Sequence, residues 1–278
     1  MVSRKQYVYN PYPNFVPVLN SKKRPSFIQY AMKCASNTDV ARNEINYTRQ
    51  PKNLKTGKKI VRFRRLNEHR ARALRAMVQA MLYYFNIAST LVMASVEKLS
   101  DQCGLSTISK AGNKSITRAS RLITKFMEPM GFVKCEKVWD KILGMYIPKM
   151  IFLTPLFFLL CNISKEKFKK IQIQQLRWIN QNLLEKGCEK ITLIESKRRA
   201  KEQHIYYAFQ SRQFKHIAKK KKMYAIKILK LKEKKARSYL LNMLVKRYSI
   251  QELSEMGASA LKKQVNIEYF KLRKLAKL

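Results

Sequence analysis

The chain has 278 residues, of which 46% are hydrophobic, and carries 59 Lys and Arg against 17 Asp and Glu, a formal net charge of +42. The apolar content excludes a disordered basic tail and provides for one or two packed cores, two by the usual allowance of roughly 100–200 residues per domain. The charge runs through both halves, repels itself in the compact state and points to a polyanionic partner, nucleic acid first.

Cys34, Cys103, Cys135, Cys161 and Cys188 are scattered, odd in number and without CxxC or Cys/His spacing. They support neither a disulfide framework nor a zinc site and predict a reducing, cytoplasmic setting. The N-terminal MVSRKQYVYNPYPNF is polar where a secretory leader would be apolar. The longest apolar run, MIFLTPLFFLLC over 150–161, is short of the roughly 20 residues that span a bilayer. It predicts a core strand followed by a buried helix, and no membrane partner.

Residues 1–66 hold five of the eight prolines and no sustained periodicity, so they read as an N-terminal arm with a short helix near 26–32. The arm closes on the cluster Arg62, Arg64 and Arg65, cations placed to reach phosphates or a minor groove. From Asn67, a plausible N-cap, Ala71, Leu74, Met77, Val78, Met81, Leu82 and Phe85 recur at helical spacing. The β-branched IASTLVM (87–93) predicts a small strand, and Ser95 opens another short helix.

The helix expected from a Ser115 cap to Gly131 is divided. Ile116, Ala119, Leu122, Ile123, Phe126, Met127 and Met130 fall on one side, and Thr117, Arg118, Arg121, Thr124 and Lys125 on the other. After Gly131, residues 132–139 and 145–153 alternate about a turn, which predicts a β-hairpin with Lys134, Lys137 and Lys141 on a basic edge. Helix, turn, helix and hairpin over 67–162 compose a winged helix-turn-helix. Its second helix would present Thr117, Arg118 and Arg121 to base edges, with Lys114 and Lys125 on phosphates.

Residues 163–278 predict a basic helical C-terminal domain, including a short capped helix at 249–257. Lys219, Lys220, Lys221 and Lys222 there are phosphate-binding candidates that carry no sequence information. Tyr206, Tyr207, Phe209 and Phe214 fall at helical spacing and read as core. The expected fold class is therefore mainly α with a small β-hairpin. His69, His204 and His216 are far apart and no GxxxxGK[ST] loop is present, so the sequence predicts no enzyme, no cofactor and no metal.

The stretch CGLSTISKAGNKSITRASRLITKF, followed by GMYIPKMIFLTPLFF, resembles the RepA replication initiators of IncFII-type plasmids, with YNPYPNFVP and RALRAMVQAMLYYF fitting the same pattern. The resemblance covers about residues 7–165 and fades into the C-terminal half; the composition looks like the versions carried on leucine-biosynthesis plasmids of insect endosymbionts. It implies a non-enzymatic initiator that binds double-stranded plasmid origin DNA, helps open an adjacent A·T-rich segment, and gathers the host replication initiator and helicase. The residues by themselves also admit a winged-helix transcriptional regulator or a basic RNA-binding structural protein.

Overall fold

The structure, a computed structural model, describes residues 10–18, 23–61, 64–109, 112–140, 144–146 and 150–277. The chain separates into two compact units that meet in sequence at Tyr206/Tyr207.

In the first unit, helices α1 (Ser26–Asn37), α2 (Ile45–Thr48), α3 (Glu68–Tyr83) and α4 (Val96–Gln102) precede a two-residue strand pair, β1 (Thr107–Ile108) with β2 (Lys114–Ser115). Helix α5 (Thr117–Leu122) runs into a π-helical turn (Ile123–Met127). Strands β3 (Val133–Glu136), β4 (Trp139–Asp140), β5 (Met145–Tyr146) and β6 (Met150–Leu153) then form one antiparallel hairpin. Its outer rungs run from Val133↔Leu153 to Glu136↔Met150, and its inner rungs are Trp139↔Tyr146 and Asp140↔Met145. Helices α6 (Pro155–Leu160), α7 (Lys165–Glu185) and the first part of α8 (Leu193–Leu229) complete the unit.

Helix boundaries follow local chemistry. Asn67, Ser95 and Ser164 each accept a hydrogen bond from a backbone N–H three residues on, capping α3, α4 and α7 as their side chains predict. Pro155 occupies the first position of α6, where its missing N–H costs nothing. Gly131 ends the helical run at φ 81°, a backbone conformation glycine adopts without Cβ strain.

Two expectations are corrected. Residues 87–93 do not form a strand: 87–89 turn, Thr90 takes φ 62°, and only isolated bridges join Phe85 to Val92 and Leu91 to Phe152. The β-branched run lies beside β6, with Val92 N–H donating to Ile151 O and Leu153 N–H to Thr90 O (both 2.8 Å), but the turn consumes the residues a longer strand would need. Helix α1 is also longer than the predicted 26–32. Phe27, Ile28, Ala31 and Ala35 bury one face, and α1 packs on α3. Prolines at both sequence ends of this region conceal a segment that joins the main core together with Phe15, Val40 and Ala41.

The core of this unit centres on an aromatic cluster. Phe158 stacks on Phe168 with centroids 4.1 Å apart and touches Phe85 at 5.3 Å and Phe157 at 5.8 Å. Phe168 brings α7 into the same core.

The junction of α1 and α3 is tied by charge. Arg75 forks onto both oxygens of Asp39 (Nε 2.9 Å, Nη2 2.7 Å) and also meets Glu68, which binds Arg42 and Arg72. The Arg75 hydrogen bond holds the Asp39 carboxyl below its ordinary 3.8. A depressed carboxylate contributes stability above its unfolded pKa and loses it as pH falls through the lower folded value. Between neutral pH and about pH 3, wild-type protein should therefore lose more stability in urea melts than Asp39→Asn does; equal losses would show that the pair contributes nothing.

The second unit holds the rest of α8, α9 (Glu233–Val245) and α10 (Ile250–Lys277) around Ala225, Ile228, Ala236, Leu240, Leu244, Val265, Tyr269 and Leu272. The predicted short helix at 249–257 is present as the first part of α10. Ser249 and Glu252 cap each other reciprocally, and Gly257 breaks the helix at φ 66°, ψ 164°.

Candidate nucleic-acid interface

Helix α4 leaves through Gly104 (φ 64°) into the β1–β2 pair, which delivers the chain to α5. Ser115 stands one residue before the N-cap position in which the sequence placed it, although its hydroxyl still accepts from the Thr117 N–H (3.4 Å) at the helix start. Its backbone is committed to β2, its hydroxyl lies 2.8 Å from the Thr117 hydroxyl, and Ile116 precedes the helix without a side-chain cap.

The division of the following helix is as the periodicity predicts. Ala119, Leu122, Ile123, Phe126, Met127 and Met130 are buried, while Thr117, Arg121 and Lys125 are exposed. The helix is not uniform, because the Thr124 hydroxyl donates to Ser120 O (2.8 Å) and Glu128 N–H reaches back five residues to Ile123 O (2.9 Å). A hydroxyl sharing the carbonyl one turn back competes with the regular ladder, and here it lies beside the widened turn.

Arg118 stands apart from its neighbours. Its guanidinium is half-buried and donates from Nη1 to Asn10 O (2.5 Å) and from Nη2 to His69 O (3.2 Å); burial lowers its pKa. Lys114 is exposed but bonds Asp101 (2.6 Å) and Glu97 (3.2 Å), first of which the Asp101 bond raises its pKa. Thr117, Arg118 and Arg121 line one recess of about 400 Å³ with Asn67, His69 and Arg70. The sequence reading missed Arg70 as a site residue. Its only signal was its place in the first turn of α3, off the apolar stripe, which does not reveal that α3 and α5 share this recess.

On the hairpin, Lys134 and Lys137 are exposed. Glu136 pairs with Lys134 at 3.4 Å and with Lys201 of α8 at 2.8 Å, Lys201 being the stronger influence lowering its pKa. Arg62 and Lys141 lie outside the described residues. Arg64 and Arg65 are exposed, Arg65 with its guanidinium 5.2 Å from the Tyr47 ring centre. Lys219, Lys220 and Lys221 are exposed on α8 and Lys222 is half-buried. Successive helical residues are about 100° apart, so these four lysines surround the helix and do not form one face.

Tyr206, Tyr207 and Phe214 are exposed, contrary to the core reading of their spacing: α8 is amphipathic too weakly for spacing alone to locate its buried side. Burial pushes the Cys103 and Cys161 thiols up to about 12. Among the described residues no group of three or more His, Cys, Asp or Glu side chains could hold a metal ion, and no helix is long and apolar enough to cross a membrane.

The model of the IncFII RepA protein family matches residues 3–277. The chain belongs to that family. The family match runs through α7–α10, which corrects the expectation that similarity would fade after about residue 165. A probable replication-associated protein repA1 of Buchnera aphidicola subsp. Cinara cedri (strain Cc) is 65% identical over 278 residues, covering 100% of this chain and 99% of that protein. A probable replication-associated protein repA2 of Buchnera aphidicola subsp. Acyrthosiphon pisum (strain APS) is 45% identical, covering 99% and 98%. A replication initiation protein of Escherichia coli is 30% identical over 126 residues, 45% of this chain and 44% of its own length. No solved structure matches.

Proposed function

We propose that the protein is a cytoplasmic, non-enzymatic plasmid replication initiator that binds duplex origin DNA through a winged helix-turn-helix, promotes origin opening and assembles the host replication initiator and helicase. One observation carries the binding step: a helix anchored by Ala119, Leu122, Ile123 and Phe126 leaves Thr117, Arg121 and Lys125 exposed and is followed in the chain by a hairpin with exposed Lys134 and Lys137. The order α3, bridge residues Leu91 and Val92 beside β6, α4, α5 and hairpin supports the winged topology. Membership in the replication family supports the role at an origin.

Within this reading Arg121 and Thr117 address base edges, Arg70 joins them from α3, and Lys125, Lys134 and Lys137 meet phosphates. Arg118 acts by fixing the recess. Fluorescence anisotropy with an origin fragment and a scrambled duplex tests the assignment. Arg121→Ala should reduce discrimination between the two by about 1–3 kcal/mol. Replacing Lys219 through Lys222 by Ala should instead weaken both equally and flatten the salt dependence. Equal loss on both duplexes for Arg121→Ala would sink the reading role.

A further inference from the structure

The hairpin carries more than a basic edge. Its two innermost described rungs place Trp139 directly across from Tyr146, with ring centroids 4.9 Å apart and planes at 73°. Both rings remain solvent-exposed, Trp139 at 49% and Tyr146 at 61%. Edge-on packing of this kind leaves ring face, and not only ring edge, in water.

The stem beneath the pair is held on two sides. Glu136, the last outer rung, is bonded to Lys201 at 2.8 Å. Val138, the residue before Trp139, packs with Leu91, Met150 and Ala200. The pair therefore sits three residues past a fixed rung, up to about 10 Å beyond it at the rise of a strand. An aromatic pair at the end of an anchored hairpin, flanked by exposed Lys137, combines the two features that hold single-stranded nucleic acid: a π-face for bases and cations for the backbone.

We propose that Trp139 and Tyr146 form a stacking site for unpaired DNA bases, by which the hairpin captures a strand as the origin opens. The inference rests on the reading of the protein as an origin-opening initiator. Charge favours a nucleic-acid strand over another protein surface, since the chain carries a net charge of +42. Ring faces stack on any base and need no sequence, which suits a site that acts after the duplex has been recognised elsewhere.

The test uses the full chain with an oligo(dT) strand and a duplex of equal length as probes. Trp139→Leu keeps apolar bulk on the hairpin but removes the π-face, and Trp139→Phe keeps a ring. Oligo(dT) affinity should fall about tenfold in Trp139→Leu and recover largely in Trp139→Phe, with duplex affinity unchanged in both. The chain has two tryptophans, so in a Trp178→Phe background the indole of Trp139 reports directly. Its fluorescence should be quenched by oligo(dT) and not by duplex.

Absence of quenching, or equal loss of both probes in Trp139→Leu, would overturn the proposal even if the chain still discriminates its origin. Loss of origin discrimination by the wild-type protein, with oligo(dT) quenching intact, would instead remove the initiator reading and leave the stacking site standing.

Discussion

Phe158→Ala should lower stability by about 3–5 kcal/mol, the largest single effect expected in the chain. Phe158 is fully buried and touches Phe85, Phe157 and Phe168, so truncation removes apolar burial and leaves a cavity bounded by rings that cannot all collapse into it. The stacked contact with Phe168 at 4.1 Å links α6 to α7, and the Phe85 contact links both to the end of α3. Chemical denaturation of Phe158→Ala and Phe158→Leu should order their losses by cavity size, with Leu the milder. A loss below about 1 kcal/mol in the Ala variant would show that the neighbourhood repacks freely.

Arg118→Ala should cost about 2–3 kcal/mol of stability, by removing charge-assisted hydrogen bonds to two main-chain carbonyls. The Asn10 carbonyl belongs to a segment that crosses α3 and α4: Val16 N–H donates to Gln102 O, Arg72 donates to Pro11 O, and Phe15 packs on Tyr83. His69 lies in the first turn of α3, so one guanidinium joins two separate parts of the sequence to the start of α5. Arg118→Lys should rescue little, because an ammonium on a flexible stem does not reproduce the planar fork that spans two acceptors. Denaturation curves for both variants, beside Arg121→Ala as an exposed control, check the assignment. Unchanged stability in Arg118→Ala together with lost base discrimination would return Arg118 to the reading face.

These two arginines show what the sequence could and could not say. A helical wheel places both Arg118 and Arg121 opposite the apolar stripe, and their charge is the same. What separates them is a carbonyl at Asn10 and another at His69, contacts across 108 and 49 residues that no local pattern encodes. Local chemistry was readable where it acts locally. Caps at Asn67 and Ser95, the glycine stop at Gly131 and the alternating hairpin all appear where their side chains require them. Ser115 sits one residue before the cap position because strand β2 claimed its backbone, and α1 was underestimated because its partner face on α3 lies about forty residues away in sequence. The Arg70 contribution to the recess was hidden for the same reason.

The π-helical turn at Ile123–Met127 gives this helix two independent phases. Upstream of it, rotation about the axis sets both where Thr117 and Arg121 point and how Ala119 and Leu122 pack; downstream, it sets how Met130 seats before Gly131. A turn closed by five residues in place of four absorbs one residue without breaking the ladder at either end. A change of length at this point would therefore turn Thr117 and Arg121 only by drawing Ala119 and Leu122 out of the core, so the widened turn ties the direction of the exposed side chains to the seating of the buried ones.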